Sequence, residues 1–325
     1  MFEQHPYGKL IGEYIKNVQY PSQPADLYDP IQYILGLSGK RIRPMLVLMA
    51  AKLFGKENIE EALPASIAIE YFHNFSLIHD DIMDNAPLRR SKETVHKKWN
   101  DNVAILSGDA LLVRAYQELA KCAPEKIPSL LNVFNKIALE VCEGQQLDMD
   151  FETIEEVTED DYLEMIKLKT SVLLGGALQM GAILADADEE QQKFIYDFGV
   201  NLGIAFQLQD DYLDVYGDPS SFGKQVGGDI LSNKKTILRI KTQQLAEGKS
   251  KEEFEELIHS KTISDEEKVQ RMKNLYASLD VDQYAEEIKS RYMDLSYNKL
   301  EDIAVSEVNK TELKDLANQL LHRTR

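Results

Sequence analysis

The stretch Ser76-Leu77-Ile78-His79-Asp80-Asp81-Ile82-Met83-Asp84 places three aspartates at the end of an apolar, helix-patterned segment. The stretch Ile204-Ala205-Phe206-Gln207-Leu208-Gln209-Asp210-Asp211-Tyr212-Leu213-Asp214 has the same design. In an α-helix the first and fifth residues of each acidic cluster share a face, so each cluster projects paired carboxylates. Carboxylates this close raise each other's pKa unless a cation lies between them. One such cluster is commonly a solvated helix face, but two copies in apolar sequence predict helices that present metal ligands.

Composition and charge narrow the class of protein. The chain has 325 residues, 43% of them hydrophobic, and a formal net charge of −18. That charge opposes nonspecific binding to nucleic acid or anionic lipid, because both need a basic surface. No apolar run approaches the ~20 residues that span a bilayer, and the N-terminus lacks the features of a secretory signal. Cys122 and Cys142 are predicted to be reduced thiols in the core. We therefore expect a cytoplasmic enzyme that binds no nucleic acid and has no membrane span.

Helical periodicity dominates the chain, and alternating strand patterns bounded by hairpin turns are missing. Breakers such as Pro87, Pro124 and the run 217–220 separate the helical segments, and no linker divides the chain. The sequence predicts an all-α fold in a single domain over residues 1–325. The predicted helices are 8–18, 27–36, 42–54, 59–84, 101–121, 126–148, 159–184, 189–216, 233–246, 251–259, 265–278, 281–297 and 310–322.

Basic residues lie near both acidic clusters. Gly39–Pro44 places three cations at the start of a helix, where free backbone N–H groups also attract an anion. Leu88–Lys92 follows the first acidic cluster in a loop that begins at Pro87. The remaining basic sites are Lys169, which precedes Thr170 in an apolar helix, and Lys224 and Lys234, which flank a glycine-rich loop. Each alone is more often a surface charge, but together they predict two diphosphate sites, one through Mg²⁺ and one through direct Arg and Lys contacts.

From about Gly39 to Thr236 these motifs resemble those of the trans-isoprenyl diphosphate synthases, the polyprenyl synthetase family. The resemblance implies an all-α, single-domain bundle of ten or more helices around a central cavity, with the two aspartate motifs facing each other across it. It implies a Mg²⁺-dependent trans-prenyltransferase, with about three ions held through Asp80, Asp84 and Asp210. It also implies a homodimer, for which the apolar helix around Val103–Leu112 is the candidate interface.

The resemblance further implies the roles of the site residues. Isopentenyl diphosphate would be bound by Lys40, Arg43, His73 and Arg90. The allylic diphosphate (dimethylallyl, geranyl or farnesyl) would be bound by Arg89, Lys169 and Lys234. Thr170, Gln207 and Lys224 would complete the substrate-binding set. The catalytic set would comprise Asp80, Asp81, Asp84, Arg89, Lys169, Asp210, Lys224 and Lys234. Asn233 stands where the family has glycine, and asparagine tolerates the same left-handed backbone.

Helix geometry supports part of this assignment. His73 lies seven residues before Asp80, a net rotation of roughly −20°, so the two residues share a face with Asp84. Gln207 and Asp214 are likewise seven residues apart. A buried core histidine is the alternative for His73, because histidine is of intermediate burial.

The implied reaction is a head-to-tail 1'-4 condensation. The neutralised allylic diphosphate leaves, the double bond of isopentenyl diphosphate attacks the allylic cation, and a proton is lost. Two other classes were weighed. A class I terpene cyclase of the same fold needs a different second metal motif and no isopentenyl site, and a noncatalytic partner subunit would be expected to have lost some of the aspartates.

Product length depends on residues just before the first acidic cluster. In the family, an aromatic residue only at the fifth position before the motif, here Phe75, resembles geranylgeranyl (C20) synthases. Farnesyl (C15) synthases more often add an aromatic at the fourth position, where Ser76 stands. We therefore predict geranylgeranyl diphosphate as the main product and farnesyl diphosphate as the alternative. Phe75 as an ordinary packing residue stays open, because ideal geometry puts it ~140° from Asp80 around the helix.

Overall fold

The fold is all-α, as predicted. The computed structural model describes residues 5–217, 227–260 and 262–321, so Lys224 lies outside the described residues. The α-helices are α1 (Pro6–Asn17), α2 (Ala25–Gly36), α3 (Ile42–Leu53), α4 (Leu63–Met83), α5 (Val95–Lys98), α6 (Asp101–Leu119), α7 (Ile127–Thr153), α8 (Glu159–Ile166), α9 (Val172–Leu184), α10 (Glu189–Tyr216), α11 (Gly228–Leu231), α12 (Ile237–Leu245), α13 (Lys249–His259), α14 (Asp265–Ser278), α15 (Val281–Glu301) and α16 (Glu307–Leu321). Within these described ranges, no helix is long and apolar enough to cross a membrane.

Two departures from the predicted elements lie at candidate site residues. A short antiparallel hairpin, β1 (Leu88–Arg89) and β2 (Lys92–Glu93), forms where the sequence predicted only a loop. Two-residue strands are too short to show alternation, so periodicity could not indicate them. The predicted helix over 159–184 is also interrupted, because Lys167–Ser171 forms a π-helical turn between α8 and α9.

Several boundaries also shift. Ile59–Ala62 is a 3₁₀ turn ahead of α4, and α7 continues five residues past the predicted end at residue 148. The helix predicted from residue 233 begins at Ile237, after the left-handed Asn233. Of the two cysteines, Cys122 is buried but Cys142 is exposed on α7, so the prediction of two core thiols was wrong for Cys142.

The described chain divides into two compact units. The first comprises Met1–Ala138, Leu173–Tyr196 and Ala304–Asn309. Its centre is α4, whose N-terminal half is apolar on nearly every side, as expected of a helix with no solvent face. Ile67, Ile69 and Tyr71 are completely buried, and α4 packs chiefly against α6 and α3. The first acidic cluster thus lies at the end of a rigidly packed helix.

The second unit comprises Leu139–Val172, Asp197–Ile303 and Lys310–Arg325. Within it α12 packs against α8, α13, α14 and α15. Leu208 and Ile237 are among its fully buried side chains. The second acidic cluster lies near the C-terminal end of α10, in the part of that helix belonging to this unit. A single domain over 1–325 and a central cavity stay predictions.

Candidate functional site

The first acidic cluster is organised around a charged pair. Asp81 is 1% exposed, and its carboxylate accepts hydrogen bonds from Nε and Nη2 of Arg89 at 2.7–2.9 Å. Burial raises the pKa of Asp81, and the hydrogen bond and charge of Arg89 oppose that rise. Burial by itself would lower the pKa of Arg89, but the charges of Asp81, Asp80 and Asp84 and the hydrogen bond to Asp81 outweigh this effect and raise it. Asp81 therefore holds Arg89 in place as a fixed cation.

The other two carboxylates of the first cluster are more accessible. Asp80 is about one-fifth exposed, with Oδ2 at 3.6 Å from Nη2 of Arg89, and Asp84 is exposed. Of the three aspartates, Asp81 is thus buried against Arg89, whereas Asp80 and Asp84 have carboxylate oxygens that solvent can reach. Sequence alone did not distinguish Asp81 from its neighbours.

The Arg89–Arg90 pair lies on the β1–β2 hairpin. The two-residue turn consists of Arg90 and Ser91, at φ 53° and 61°. Both values belong to the left-handed region that two-residue hairpin turns require and that glycine or asparagine usually occupies. Nη1 of Arg90 reaches the carbonyl oxygen of Leu37 at 3.5 Å. A Cβ on Gly39 would lie 2.4 Å from that nitrogen, so Gly39 leaves room for the guanidinium.

Arg43 and His73 also meet in this unit. Nη1 of Arg43, on α3, lies 3.3 Å from Nε2 of His73, on α4. Because guanidinium only donates, Nε2 accepts and the remaining ring proton is on Nδ1. Burial, followed by the charges of Arg43, Arg90 and Arg89, holds the pKa of His73 well below its usual range. His73 is therefore a neutral imidazole with one N–H to offer.

A buried carboxylate counters these arginines. Glu70 is 4% exposed on α4 and accepts a hydrogen bond from Nδ2 of Asn74 at 3.2 Å. Burial raises its pKa, while Arg41, Asn74, Arg90 and Arg43 oppose the rise. The structure thus brings Arg43, His73 and Arg90 together beside the Gly39–Lys40 loop, with the buried carboxyl group of Glu70 near them. Sequence analysis missed Glu70 because one acidic residue in an apolar helix carries no motif.

The second acidic cluster also buries its second aspartate. Asp211 is 4% exposed and accepts hydrogen bonds from the Tyr162 hydroxyl and from Nε2 of Gln207, the latter at 3.0 Å. Burial, reinforced by Asp229, raises the pKa of Asp211 to about 7, while Lys234, Tyr162 and Gln207 oppose the rise. Asp210 and Asp214 are half-buried.

Thr170 and Lys169 lie on the π-helical turn. Oγ1 of Thr170 is 3.4 Å from Oε1 of Gln207, which links the turn to the hydrogen bonds around Asp211. Nζ of Lys169 donates to Oδ2 of Asp148 at 2.5 Å. A Cβ on Gly144 would lie 2.1 Å from the backbone nitrogen of Lys169, so Gly144 permits the close approach of α7 to the π-helical turn. Such π turns occur frequently at functional sites.

Lys234 is joined to Asp214 through a short run of backbone. The N–H of Asp229 donates to Oδ2 of Asp214 at 2.9 Å, and the N–H of Lys234 donates to the Asp229 carbonyl at 2.9 Å. Tyr162, Asp148 and Asp229 were not found by sequence analysis, because each contacts the predicted residues only through the fold. The structure of the second unit groups Lys169, Thr170, Gln207, Asp211 and Lys234 around these three.

Phe75, the predicted determinant of product length, lies on α4 among aromatic rings. Its ring centroid is 5.6 Å from that of Phe72 and 4.7 Å from that of His79. Phe72 is itself buried against Phe134, with ring centroids 5.5 Å apart. Phe75 is half-buried. Ser76 turns its hydroxyl back to the His73 carbonyl oxygen at 2.9 Å.

The donor chemistry of both clusters fits Mg²⁺. Within the described ranges, no group of three or more His, Cys, Asp or Glu side chains converges to form a complete metal cage. Mg²⁺ does not need one, because it binds one or two carboxylates and completes its octahedron with water and phosphate oxygens. Asp80, Asp84 and Asp210 offer such oxygens, whereas Asp81 is engaged by Arg89 and Asp211 by Tyr162 and Gln207.

Comparison with known proteins identifies the family. Residues 24–277 match the polyprenyl synthetase family. A geranylgeranyl pyrophosphate synthase from Geoglobus acetivorans is 37% identical over 97% of this chain and 96% of its own. A geranylfarnesyl diphosphate synthase from Natronomonas pharaonis is 36% identical over 71% of this chain and 73% of its own. The crystal structure of a geranylgeranyl pyrophosphate synthase superposes with a TM-score of 0.93 at 44% identity, covering 99% of each chain. The chain belongs to the polyprenyl synthetase family.

Proposed function

We propose that this protein is a Mg²⁺-dependent prenyltransferase that joins isopentenyl diphosphate head-to-tail to an allylic diphosphate. The observation that carries the proposal is the meeting of Arg43, His73 and Arg90 beside the Gly39–Lys40 loop. The two arginines and the neutral His73 are separate from the aspartate cluster and its Arg89, so they can bind a second diphosphate. A terpene cyclase ionises one diphosphate and needs no such second site.

The allylic diphosphate is assigned to the charges near the aspartates. Arg89, Lys169 and Lys234 would bind its oxygens, and Asp80, Asp84 and Asp210 would hold Mg²⁺, which supplies Lewis-acid neutralisation of the leaving diphosphate. Arg89 suits this role because Asp81 fixes it before substrate arrives, so little reorganisation is needed. Lys224 is assigned to the same diphosphate by resemblance.

Bond making follows the loss of diphosphate. The allylic C–O bond breaks with its electron pair on the diphosphate oxygen, and the carbon becomes an allylic cation. Isopentenyl diphosphate, held by Lys40, Arg43, Arg90 and the Nδ1–H of His73, supplies the π electrons for the new C–C bond. Loss of one proton to the released diphosphate restores a double bond. The product is five carbons longer.

A radiolabelled isopentenyl diphosphate assay with three allylic primers tests this proposal. We expect extractable product only when both substrates and Mg²⁺ are present, loss in excess EDTA and recovery with Mg²⁺. Hydrocarbon formation from the allylic substrate alone would instead identify a cyclase, and full activity in chelator would exclude the metal assignment.

Geranylgeranyl diphosphate is the proposed main product. Its support is the name carried by the Geoglobus relative and by the superposed crystal structure, together with the aromatic residue at position 75. Farnesyl diphosphate remains the alternative from the sequence, and the Natronomonas relative makes geranylfarnesyl diphosphate a third candidate. Chromatography of the dephosphorylated products separates the three.

The predicted homodimer is supported by an apolar surface on α6. Ile105, Leu106, Val113 and Tyr116 are 39–60% exposed on this helix. Leu106 and Val113 are seven residues apart and therefore share a face. We propose that a second copy covers them. Leu106→Lys should shift the protein to monomer in sedimentation velocity, whereas the matched control Val308→Lys, at an 82% exposed position on α16, should not.

A further inference from the structure

Two basic residues of the second unit donate hydrogen bonds to one asparagine, and a third lies close enough to Arg239 to feel its charge. Asn233 has φ 54°, and its backbone oxygen accepts a hydrogen bond from Nη1 of Arg239, on α12. Its side-chain oxygen accepts one from Nζ of Lys268, on α14, at 2.8 Å. Lys235, two residues farther along the chain, donates to the carbonyl oxygen of Phe151. Lys235, Arg239 and Lys268, here called the Arg239 cluster, are all half-buried.

The members of the Arg239 cluster, unlike the neighbouring Arg271, form no ion pair with a carboxylate among the described residues. Each member instead donates a hydrogen bond to a carbonyl or amide oxygen. Nε of Arg239 is buried without a hydrogen-bond acceptor. By contrast Arg271, one turn beyond Lys268 on α14, pairs with Glu253, Glu256 and Glu267 at 2.5–3.6 Å.

These like charges are held together at a cost in free energy. Burial, and then the charge of Arg239, lowers the pKa of Lys235 and of Lys268. Burial also lowers the pKa of Arg239, against smaller opposing effects of Tyr276 and Glu255. Half-buried cations that repel one another are stabilised by an anion between them. Glu152, Glu255 and Asp265 partly offset these shifts by their charges but form no ion pair with the cluster among the described residues, whereas Arg271 is paired directly with acidic side chains.

We infer that Lys235, Arg239 and Lys268 form an oxyanion-binding site for a phosphate group, separate from the proposed substrate sites. Guanidinium and ammonium groups that converge from two helices and a loop match the several oxygens of a tetrahedral anion. Nε of Arg239 supplies a further donor, for which the described part of the chain offers no acceptor. The phosphate group has two sources, inorganic phosphate or diphosphate, and the headgroup of a prenyl phosphate. The site adjoins Lys234, so a bound anion would also fix the turn from Gly227 to Asn233.

Isothermal titration of the full-length protein with orthophosphate, in excess EDTA and at constant ionic strength, tests the inference. Lys268→Gln and Arg239→Gln remove one charge each but keep a donor for Asn233. We expect each variant to lose one phosphate site or to bind it about tenfold more weakly. The matched control Lys251→Gln, an exposed lysine on α13, should bind as the wild type does. Geranyl monophosphate used in place of orthophosphate distinguishes the two sources, because a lipid-headgroup site should bind it more tightly.

Two further readouts separate an anion site from a structural role. Without phosphate, Lys268→Gln should have an unfolding midpoint equal to or above that of the wild type, because repulsion is relieved. With phosphate, the midpoint of the wild type should rise and that of the variant should rise less. The inference would be overturned if the wild type, Lys268→Gln and Arg239→Gln bound phosphate equally. It would also be overturned if Lys268→Gln, measured without phosphate, were clearly less stable than the wild type. Without phosphate, Lys268→Gln should catalyse condensation at the wild-type rate. The condensation assay therefore tests the proposed function separately from the phosphate titration, which tests the anion site.

Discussion

Replacing Asp81 by asparagine tests whether this aspartate holds Arg89 or binds metal. Asp81 is 1% exposed and Arg89 is 24% exposed. The substitution removes the negative charge and one of the two oxygens that accept from Nε and Nη2. Breaking a buried ion pair by removing one partner costs 3–5 kcal/mol, and the partial exposure of Arg89 puts this case at the lower end, about 3 kcal/mol. At ~2 °C per kcal/mol, the unfolding midpoint should fall by ~6 °C.

The assays are thermal unfolding, which gives the midpoint, and chemical denaturation, which gives the free energy of unfolding, both in excess EDTA, where no metal can contribute. Asp84→Asn is the matched control because Asp84 is exposed in the same motif, and it should change stability by less than ~0.5 kcal/mol. The double variant Asp81→Asn with Arg89→Gln should be little less stable than Asp81→Asn alone, since the pair is then already broken. With Mg²⁺ and substrates, Asp81→Asn should lower turnover by about a hundredfold through misplacement of Arg89.

The outcome that refutes this role is specific. If Asp81→Asn is as stable as the wild type without metal, or gains stability through relief of repulsion from Asp80, the carboxylate does not anchor Arg89. Additive effects of the two single substitutions would lead to the same conclusion. Loss of activity alone would not decide, because a metal ligand would show it too.

Four further variants test other parts of the site. Ser91→Gly should relieve about 1 kcal/mol of left-handed backbone strain in the folded protein, while the greater freedom of glycine in the unfolded chain costs ~0.5 kcal/mol. Equilibrium denaturation should therefore show a free energy of unfolding higher by ~0.5 kcal/mol, without loss of turnover. Glu70→Gln should flatten the pH dependence of the free energy of unfolding. Because burial raises the pKa of Glu70 in the folded protein, the stability that Glu70 contributes is present below its pKa in the unfolded chain and is lost as the pH rises through its pKa in the folded protein. At high pH the variant should therefore be more stable than the wild type. Arg43→Ala should chiefly raise KM for isopentenyl diphosphate in steady-state kinetics; a selective rise in KM for the allylic substrate would show that the two sites are exchanged. Phe75→Ala should lengthen the product to C25 or beyond by chromatography, and an unchanged product would show that another residue limits chain length.

Much of the first unit could be predicted because its information is local. The aspartates, the basic pairs and the helix that carries them are all contiguous in sequence, and periodicity indicated α4 and α10 within a few residues. What sequence could not supply was the difference between Asp80 and Asp81. Helix geometry places them on different faces, but only packing shows that one face is buried against Arg89.

The features that escaped prediction depend on contacts between distant segments. Tyr162 meets Asp211 across 49 positions of sequence, and Lys169 meets Asp148 across 21. No spacing rule joins such pairs, since each depends on how α7, α8 and α10 pack within their unit. The hairpin at Leu88–Glu93 escaped for a different reason, because its turn uses Arg90 and Ser91 at positive φ instead of asparagine and glycine.

Several of the features that cost this fold free energy lie at or next to the proposed substrate-binding residues. Asp81, Asp211 and Glu70 are charged groups with raised pKa values caused first by burial. Arg90 and Ser91 hold a backbone conformation that disfavours their side chains. Such costs persist only where the surrounding structure imposes them, and they cluster at functional sites. In each case the buried carboxylate lies next to a group that would touch diphosphate: Arg89 beside Asp81, Gln207 beside Asp211, and Arg43 and Arg90 near Glu70. We propose that the buried aspartate of each motif fixes these donors before substrate binds, and that Asp80, Asp84 and Asp210 hold the metal.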